Sequence, residues 1–140
     1  MKFAKFFTFS YSVFFFKLEY VKKIYDYIAS EFNTTRVYKW EWISDYINSL
    51  PKNSLIYDIG CGNGRNMQYS GYRFIGFDNS ISFIELCRSK ELIVHYSEIT
   101  DIKVINNSAD YIICIATFHH LSTYKNRIKA LKELKVLKIL

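Results

Sequence analysis

The chain has 140 residues, half of them apolar and 19% aromatic. This length suits a single domain, and the composition excludes an intrinsically disordered chain because it supplies enough apolar surface for a core. The formal net charge is +6, and lysines are concentrated near the C-terminus. A basic end fits a polyanionic partner such as RNA, but solvated helix faces give the same charge pattern.

The cysteines and histidines are few and scattered. An odd number of cysteines without zinc-ligand spacing predicts neither a disulfide framework nor a zinc site. All three lie in segments that we expect to be buried or half-buried, which fits a reducing compartment, and we predict a cytoplasmic protein that could also occur in the nucleus. No carboxylate or cysteine cluster accompanies the histidines, so we expect no metal. The residues concerned are Cys61, Cys87, Cys114, His95, His119 and His120.

Residues 1–18 form an unusual segment, rich in phenylalanine with lysines at the front. It is similar to the charged start and apolar middle of a signal peptide, but a clear cleavage site is missing. It is also too short and too polar to span a bilayer well. We interpret it as an aromatic-rich extension, with a membrane-surface anchor as the alternative, and we expect the domain to cover residues 19–140.

Two helices are predicted before the first strand. Apolar residues recur at helical spacing over residues 19–32 and again over about 39–50. The apolar residues of the first helix are Val21, Ile24, Tyr25, Ile28 and Phe32, and those of the second are Trp42, Ile43, Tyr46 and Ile47. We expect the two helices to form a lid over the carboxyl end of the first strand.

Residues 55–65 contain an apolar run that ends in a carboxylate and is followed by three glycines at every second position. This order predicts a buried strand, a tight glycine loop and the start of a helix. Glycine allows backbone angles that are closed to other residues and lets the chain approach a ligand closely. A phosphate-binding loop would end in Gly-Lys-Ser/Thr, and a dinucleotide loop would place its third glycine where Arg65 stands. The spacing therefore disfavours a nicotinamide oxidoreductase.

A second strand is predicted over residues 72–78 and ends in Asp78, eighteen residues after Gly60. A carboxylate at this point offers two acceptor oxygens to the hydroxyls of a ribose. Asp78 could instead cap the helix that we predict over about 80–90.

The rest of the chain continues the alternation of strands and helices. A short strand is predicted over 92–95, an apolar strand buried on both faces over 110–115, and a last helix over about 123–137 with Ile128, Leu131, Leu134 and Leu137 inward. This alternation predicts an α/β fold with a Rossmann-like, doubly wound parallel sheet. Since parallel strands end on one rim, the glycine loop, Asp78, Glu98 and residues 116–120 should converge.

The motif Asp-x-Gly-x-Gly-x-Gly at residues 58–64 resembles the first motif of class I S-adenosylmethionine-dependent methyltransferases. The run Ile-Ala-x-x-His-His-Leu-Ser-Thr at 115–123, with parts of 21–36 and 127–134, is similar to the tRNA wobble-uridine (carboxymethyluridine) methyltransferases. The chain departs from that family in two ways. We predict four strands where the family usually has seven, and Glu98 stands where the family usually has an aspartate before the adenine-contacting loop. We therefore expect the sheet to be truncated after its fourth strand.

The resemblance implies S-adenosyl-L-methionine as cofactor and a role for each matching residue. Asp58 would accept from the cofactor's ammonium, Asp78 from its ribose and Glu98 from its adenine amine. Asp58 could instead brace the loop as an acceptor, and Glu98 could be an acid of a surface loop. Arg36, His119 and His120 are candidates to orient the acceptor as catalytic residues. Arg36 could instead form a helix-end salt bridge, and the two histidines could simply pack the rim of the sheet. The implied cofactor-binding residues are Tyr25, Asp58, Gly60, Gly62, Asn63, Gly64, Asp78, Asn79, Glu98, Ile99 and Ala116.

The resemblance also implies a function: carboxyl methylation of carboxymethyluridine at position 34 of tRNA. It implies tRNA and a small zinc-binding activator subunit as partners, without stable membrane insertion. The alternatives are a methyltransferase for a small-molecule or other acceptor and a truncated, non-catalytic cofactor-binding module.

Overall fold

A computed structural model describes residues 22–28 and 39–137 of the chain. The N-terminal extension predicted over residues 1–18 lies outside the described residues. In chain order the helices and strands are α1 (residues 22–28), α2 (Glu41–Ser49), β1 (Leu55–Ile59), β2 (Arg73–Asp78), α3 (Ile81–Ser89), β3 (Val94–Tyr96), β4 (Tyr111–Ile113) and α4 (Tyr124–Leu137). Short 3-10 turns at Arg65–Met67 and Phe118–His120 follow β1 and β4.

The four strands form one parallel sheet in the order β3-β2-β1-β4. Asp58 in β1 lies opposite Gly76 in β2 and Ile113 in β4, and this fixes the register of the two central pairings. The chain proceeds from β1 towards one edge of the sheet and then returns to add β4 on its other side. The predicted doubly wound sheet is therefore confirmed, with its topological switch point at the carboxyl end of β1.

Each face of the sheet has its own apolar core, because successive residues of a strand point to opposite faces. Ile56 in β1 packs with the buried residues of α2 and α3, whereas Tyr57 and Ile59 pack on the side of α4. The first core comprises Ile43, Ile47, Ile56, Cys61, Met67, Phe74, Ile84, Cys87, Val94 and Ile113, and the second comprises Tyr57, Ile59, Phe77, Ile102, Ala109 and Leu137.

The inward faces predicted for two helices are only partly correct. In α2, Ile43 and Ile47 are fully buried, but Trp42 is 60% exposed and Tyr46 is also exposed. In α4, Leu131 is 51% exposed, although Leu137 is buried. Each helix touches the sheet along one narrow stripe, and a side chain about 100° round the helix from that stripe cannot reach the core.

Strand β4 is shorter and less buried than the strand predicted over residues 110–115. It covers three residues, of which only Ile113 is buried. Within the described sheet β4 pairs on one side only, with β1, so its side chains are less covered than those of a central strand.

The prediction that a helix begins directly after the glycine loop is also wrong. A single 3-10 turn forms there and buries Asn66 and Met67.

Gly76 in the middle of β2 lets the loop after β1 pack directly on the strand backbone. A Cβ atom at this position would lie 2.7 Å from Met67 Sδ, 2.8 Å from Cys61 Sγ and 3.0 Å from Cys61 Cβ. These distances are shorter than van der Waals contact, so the two sulfur-containing side chains occupy the space that a side chain at position 76 would need.

The contrast between the two faces of α2 gives a stability prediction. Ile47→Ala should lower the free energy of unfolding by about 2–5 kcal/mol, because it removes a fully buried side chain and leaves a cavity. Trp42→Ala should change it by less than about 0.5 kcal/mol, because the indole is mostly in solvent. Chemical denaturation of the two variants measures both values, and equal losses would contradict the observed orientation of α2.

Candidate functional site

A cavity lies over the carboxyl ends of the strands, at the switch point of the sheet. The loops after all four strands and one side of α1 contribute to its wall. The lining residues are Lys22, Tyr25, Ile59, Gly60, Cys61, Gly62, Asn63, Arg65, Asn66, Phe77, Asp78, Asn79, Phe83, Ser97, Glu98, Ile99, Ile102, Ile115, Ala116, Thr117, His120 and Leu121. The predicted convergence of the loops is therefore confirmed.

The glycine loop after β1 is tied to the end of β2 through its backbone. The N–H groups of Gly60 and Cys61 both donate to the carbonyl of Phe77, at 2.7 and 3.1 Å. The next glycine, Gly62, donates its N–H to Asp78 Oδ2 at 2.9 Å. Since three successive donors of the loop are used in this way, the loop has a defined shape before any ligand arrives.

The carbonyl groups of the same loop are satisfied from the side of α3. The thiol of Cys87 donates to the carbonyl of Gly62 at 3.1 Å. Lys90 Nζ donates to the carbonyl of Asn63 at 2.9 Å. The loop is thus fixed on two sides, and the face that it presents to the cavity is left for a ligand.

The conformation of the loop requires glycine for two separate reasons. Gly60 and Gly62 have φ values of +74° and +52°, in the left-handed region that residues with a Cβ rarely adopt. At Gly60 a Cβ atom would also lie only 2.7 Å from the Cβ of Thr117 in the loop after β4. At Gly62 a Cβ atom would meet nothing within 4 Å, so the chain is open there towards the cavity.

Asp58, near the end of β1, carries a buried carboxyl group. It is 1% exposed, and neither of its oxygens has a hydrogen-bond partner within the described part of the chain. Burial, together with the nearby carboxylate of Asp78, raises the pKa of Asp58 to about 7, although the positive charge of Arg65 partly opposes this. A carboxylate in this state gains stability from a positively charged donor.

Asp78 at the end of β2 lines the cavity and organises the backbone around it. One oxygen accepts from the N–H of Gly62 and the other from the N–H of Ser80, each at 2.9 Å. The hydroxyl of Ser80 in turn caps α3 by accepting from the N–H of Phe83. Burial raises the pKa of Asp78, and these backbone hydrogen bonds oppose that effect. The carboxylate retains lone pairs for a ligand hydroxyl because each oxygen can accept more than one hydrogen bond.

The loops after β3 and β4 complete the opposite wall. Glu98 Oε2 accepts from Asn79 Nδ2 at 3.1 Å, so the two polar side chains that line this wall are held together. Ala116, after β4, has a φ of +53°, which is strained for a residue with a Cβ. The hydroxyl of Thr117 donates to the carbonyl of Gly60 at 3.3 Å and lies 3.1 Å from that of Ile115.

Helix α1 covers one side of the cavity and is attached to three different segments around it. Lys22 Nζ donates to the hydroxyl of Tyr96 at 2.9 Å. The hydroxyl of Ser80 donates to Asp26. The hydroxyl of Tyr25 is 2.9 Å from Nε2 of His120, with the two rings edge to face. This arrangement supports the predicted lid for α1, whereas α2 contributes no residue to the cavity wall.

His120 is the histidine that faces the cavity. Its ring centroid is 4.0 Å from that of His119, which is exposed and does not line the cavity. Burial, with a smaller contribution from His119, lowers the pKa of His120. The lowered pKa favours the neutral imidazole, which can exchange a hydrogen bond with a ligand without carrying a positive charge.

The predicted site residues divide into three groups. Ten of them line the cavity: Tyr25, Gly60, Gly62, Asn63, Asp78, Asn79, Glu98, Ile99, Ala116 and His120. Asp58, Gly64 and His119 do not line it: Asp58 and Gly64 are buried, and His119 is exposed. Arg36 lies outside the described residues.

The sequence reasoning missed four notable lining residues: Lys22, Asn66, Phe83 and Thr117. Thr117 follows directly after the predicted Ala116, so its position in the motif was a usable signal. Lys22 lies one helical turn before Asp26, on the predicted lid helix. No local pattern points to Asn66 or Phe83.

Gly62 offers a test that separates ligand binding from stability. Gly62→Ala should cost about 1–2 kcal/mol through left-handed backbone strain alone, because its methyl group meets no protein atom. The same methyl group should weaken binding of S-adenosylhomocysteine by about tenfold or more, measured by calorimetric titration, because it enters the cavity.

Gly71→Ala is the matched control for Gly62→Ala. Gly71 has a φ of +84°, and its added Cβ would meet only the flexible side chain of Lys52, away from the cavity. It should carry a similar stability cost and leave the binding affinity unchanged. Equal affinities for both variants would show that the ligand does not approach Gly62.

The raised pKa of Asp58 predicts how stability depends on pH. Between about pH 4 and pH 7 the unfolded chain releases this proton while the folded chain keeps it, so stability falls as the pH rises. The expected loss from this group is about 4 kcal/mol, complete above pH 7. Asp58→Asn should remove this part of the pH dependence, as measured by urea denaturation from pH 4 to pH 8. An unchanged slope in the variant would contradict the assignment.

Comparison with known proteins identifies the domain. A family profile described as a methyltransferase domain matches residues 57–138. The tRNA (carboxymethyluridine(34)-5-O)-methyltransferase of Xenopus tropicalis is 39% identical over 120 residues, which are 83% of this chain and 19% of the relative. The protein of the same name from Arabidopsis thaliana is also 39% identical, over 83% of this chain and 29% of the relative. That of Schizosaccharomyces pombe is 32% identical, over 82% of this chain and 50% of the relative. The chain thus spans half or less of the length of these three relatives.

Solved structures show the same fold. The TehB-like SAM-dependent methyltransferase of Corynebacterium glutamicum superposes with a TM-score of 0.68 at 15% identity, covering 86% of this chain and 68% of that one. A Haloferax volcanii methyltransferase, solved in complex with the Trm112 methyltransferase activator, superposes with a TM-score of 0.64 at 15% identity, covering 81% and 55%. The chain therefore belongs to the methyltransferase domain family and has the fold of class I methyltransferases.

Proposed function

We propose that this chain carries the methyl-donor site of a tRNA methyltransferase that esterifies the carboxymethyl group of uridine 34. The observation that supports this most strongly is the 39% identity, over 83% of the chain, with relatives that bear this name. The level of identity is well above that shared with the solved methyltransferases of other kinds. A small-molecule acceptor is the alternative that the assay below distinguishes.

The residues of the cavity fit S-adenosylmethionine chemically. Asp58 precedes the lining residue Ile59, and its buried carboxyl oxygens have no hydrogen-bond partner within the described chain. It suits the cofactor's ammonium group, because a positive donor would satisfy these oxygens and lower the pKa of Asp58. The open space at Gly62 suits the close approach of a ligand to the backbone. Asp78 and Glu98 offer acceptor oxygens on the wall for ribose hydroxyls and an adenine amine.

The proposed reaction requires positioning more than proton transfer. When bound, S-adenosylmethionine supplies a methyl group on a positively charged sulfur. The carboxylate of the acceptor is already ionised at neutral pH, so no residue of this chain has to remove a proton from it. The cavity then has to hold the acceptor oxygen in line with the methyl group and keep water out.

His120 is the described residue best placed to orient the acceptor. A neutral imidazole can hydrogen-bond a carboxylate without forming the strong ion pair that would reduce its nucleophilicity. Tyr25 keeps the ring of His120 in place through its hydroxyl, and it belongs to the helix that covers the cavity. Arg36 stays a predicted second orienting group, since guanidinium matches carboxylate in a bidentate way.

The proposed partners follow from the same relationships. tRNA is the substrate in this proposal, and a small activator subunit is supported by the Haloferax volcanii neighbour, which is in complex with the Trm112 activator. We place the enzyme in the cytoplasm, with the nucleus as an additional compartment. Within the described residues, no helix has both the length and the hydropathy needed to cross a membrane.

Methyl transfer to defined tRNAs tests the proposal. The chain should transfer labelled methyl groups from S-adenosylmethionine to tRNA that carries carboxymethyluridine at position 34 and not to the same tRNA with unmodified uridine. Tyr25→Phe should lower kcat by about tenfold and leave the Kd of S-adenosylhomocysteine unchanged, because it removes only the hydroxyl that positions His120.

The assay includes a Trm112-type activator in a parallel series. If the chain binds S-adenosylhomocysteine but methylates neither tRNA in either series, the proposed acceptor is wrong. Transfer to both tRNAs would also contradict it, because the carboxymethyl group would then not be the acceptor.

A further inference from the structure

Two tryptophans lie on the surface beside the start of α2. Trp40 is 39% exposed and Trp42 is 60% exposed. Their rings are nearly parallel, with an interplanar angle of 14° and centroids 6.2 Å apart. They are also the only tryptophans of the chain. Two large apolar rings held in solvent with their planes aligned are costly in water, so a surface of this kind suggests a partner.

This surface is continuous with the cofactor cavity through Arg65. The guanidinium carbon of Arg65 lies 4.7 Å from the centroid of the Trp40 ring, and Arg65 itself lines the cavity. We name Trp40, Trp42 and Arg65 together the tryptophan patch. Lys39, next to the patch, places its Nζ 3.7 Å from the ring centroid of Tyr69 and is exposed. A molecule that reaches into the cavity past Arg65 would therefore meet the tryptophan rings outside it.

The charges around the patch decide what kind of contact it can make. Among the described residues next to the patch, two cations, Lys39 and Arg65, are offset by two exposed carboxylates on α2, those of Glu41 and Asp45. A surface without excess positive charge is a poor site for the phosphates of a nucleic acid duplex. Aromatic rings flanked by a guanidinium are instead typical of sites that stack unpaired bases.

We propose that the tryptophan patch stacks unpaired bases of the tRNA loop that presents its wobble uridine to the cavity. The proposal rests on the proposed function, and it adds a recognition surface outside the methyl-transfer site. It implies that the chain selects an unpaired loop over a duplex through its rings rather than through its net charge. Trp42 carries most of this contact because it is the more exposed of the two rings.

Because both tryptophans of the chain lie in the patch, its intrinsic tryptophan fluorescence reports on this surface alone. The full chain is titrated with an RNA hairpin that carries an anticodon loop and with a duplex of the same number of phosphates. The hairpin should quench the fluorescence and the duplex should not. Trp42→Ala should weaken hairpin binding by about tenfold or more, the loss expected for one stacked base, and should leave the salt dependence unchanged because no charge is removed.

Two variants serve as controls for Trp42→Ala. Trp42→Phe retains a ring and should keep most of the hairpin affinity. Tyr124→Ala removes an aromatic side chain that is 79% exposed on α4, which packs on the opposite face of the sheet, and it should have no effect. Hairpin affinity in these variants is measured by fluorescence anisotropy of labelled RNA, so the readout does not depend on the tryptophans.

The outcomes distinguish this inference from the proposed function. If the wild-type chain binds the hairpin but Trp42→Ala binds it equally well, the inference is wrong and the proposed function stands. If the chain binds S-adenosylhomocysteine but neither methylates nor binds any tRNA, the proposed function itself fails. Quenching by a Trm112-type activator, without quenching by the hairpin, would assign the patch to a protein partner and overturn the inference.

Discussion

The carboxylate of Asp78 is the constraint on which the site depends. It joins the N–H of Gly62, in the loop after β1, to the N–H of Ser80, at the start of α3. Ser80 in turn donates to Asp26 on α1, so hydrogen bonds run from the glycine loop through the end of β2 to the helix that covers the cavity. A parallel sheet brings these segments to one edge, but this carboxylate fixes their relative positions. The cavity therefore has its shape because one acidic side chain satisfies backbone donors from two directions.

Much of the fold could be predicted from the sequence because its signals are local. The apolar run of β1, the glycines after it and the acid that ends β2 each require only neighbouring residues to be interpreted. The errors arose where burial depends on distant contacts. Trp42 has an apolar side chain at helical spacing, yet it lies beside the stripe of α2 that meets the sheet. Likewise, β4 pairs with a neighbour on one side because of the order of the strands in the whole described sheet, which no local pattern encodes.

The candidate site was predictable to a similar extent. Chain order and the parallel sheet were sufficient to bring Gly62, Asp78 and Glu98 to one cavity. They were not sufficient to show that Asp58 is buried without a hydrogen-bond partner within the described chain, since this depends on side chains from several elements. The contact of Thr117 with Gly60 joins residues that are 57 positions apart, and no local pattern encodes it. The roles assigned from the resemblance stay predictions until the cofactor is titrated.

The packing of Gly76 against Cys61 and Met67 has a consequence for the evolution of this domain. The middle of β2 and the first turn of the glycine loop share one volume, which two sulfur-containing side chains already fill. A larger residue at position 76 would require a smaller side chain or a shifted backbone at Cys61, whereas the flexible end of Met67 can turn away. Substitutions at positions 76 and 61 should therefore be correlated among homologues, so that the glycine of the strand and the residue after the first glycine of the loop are inherited together.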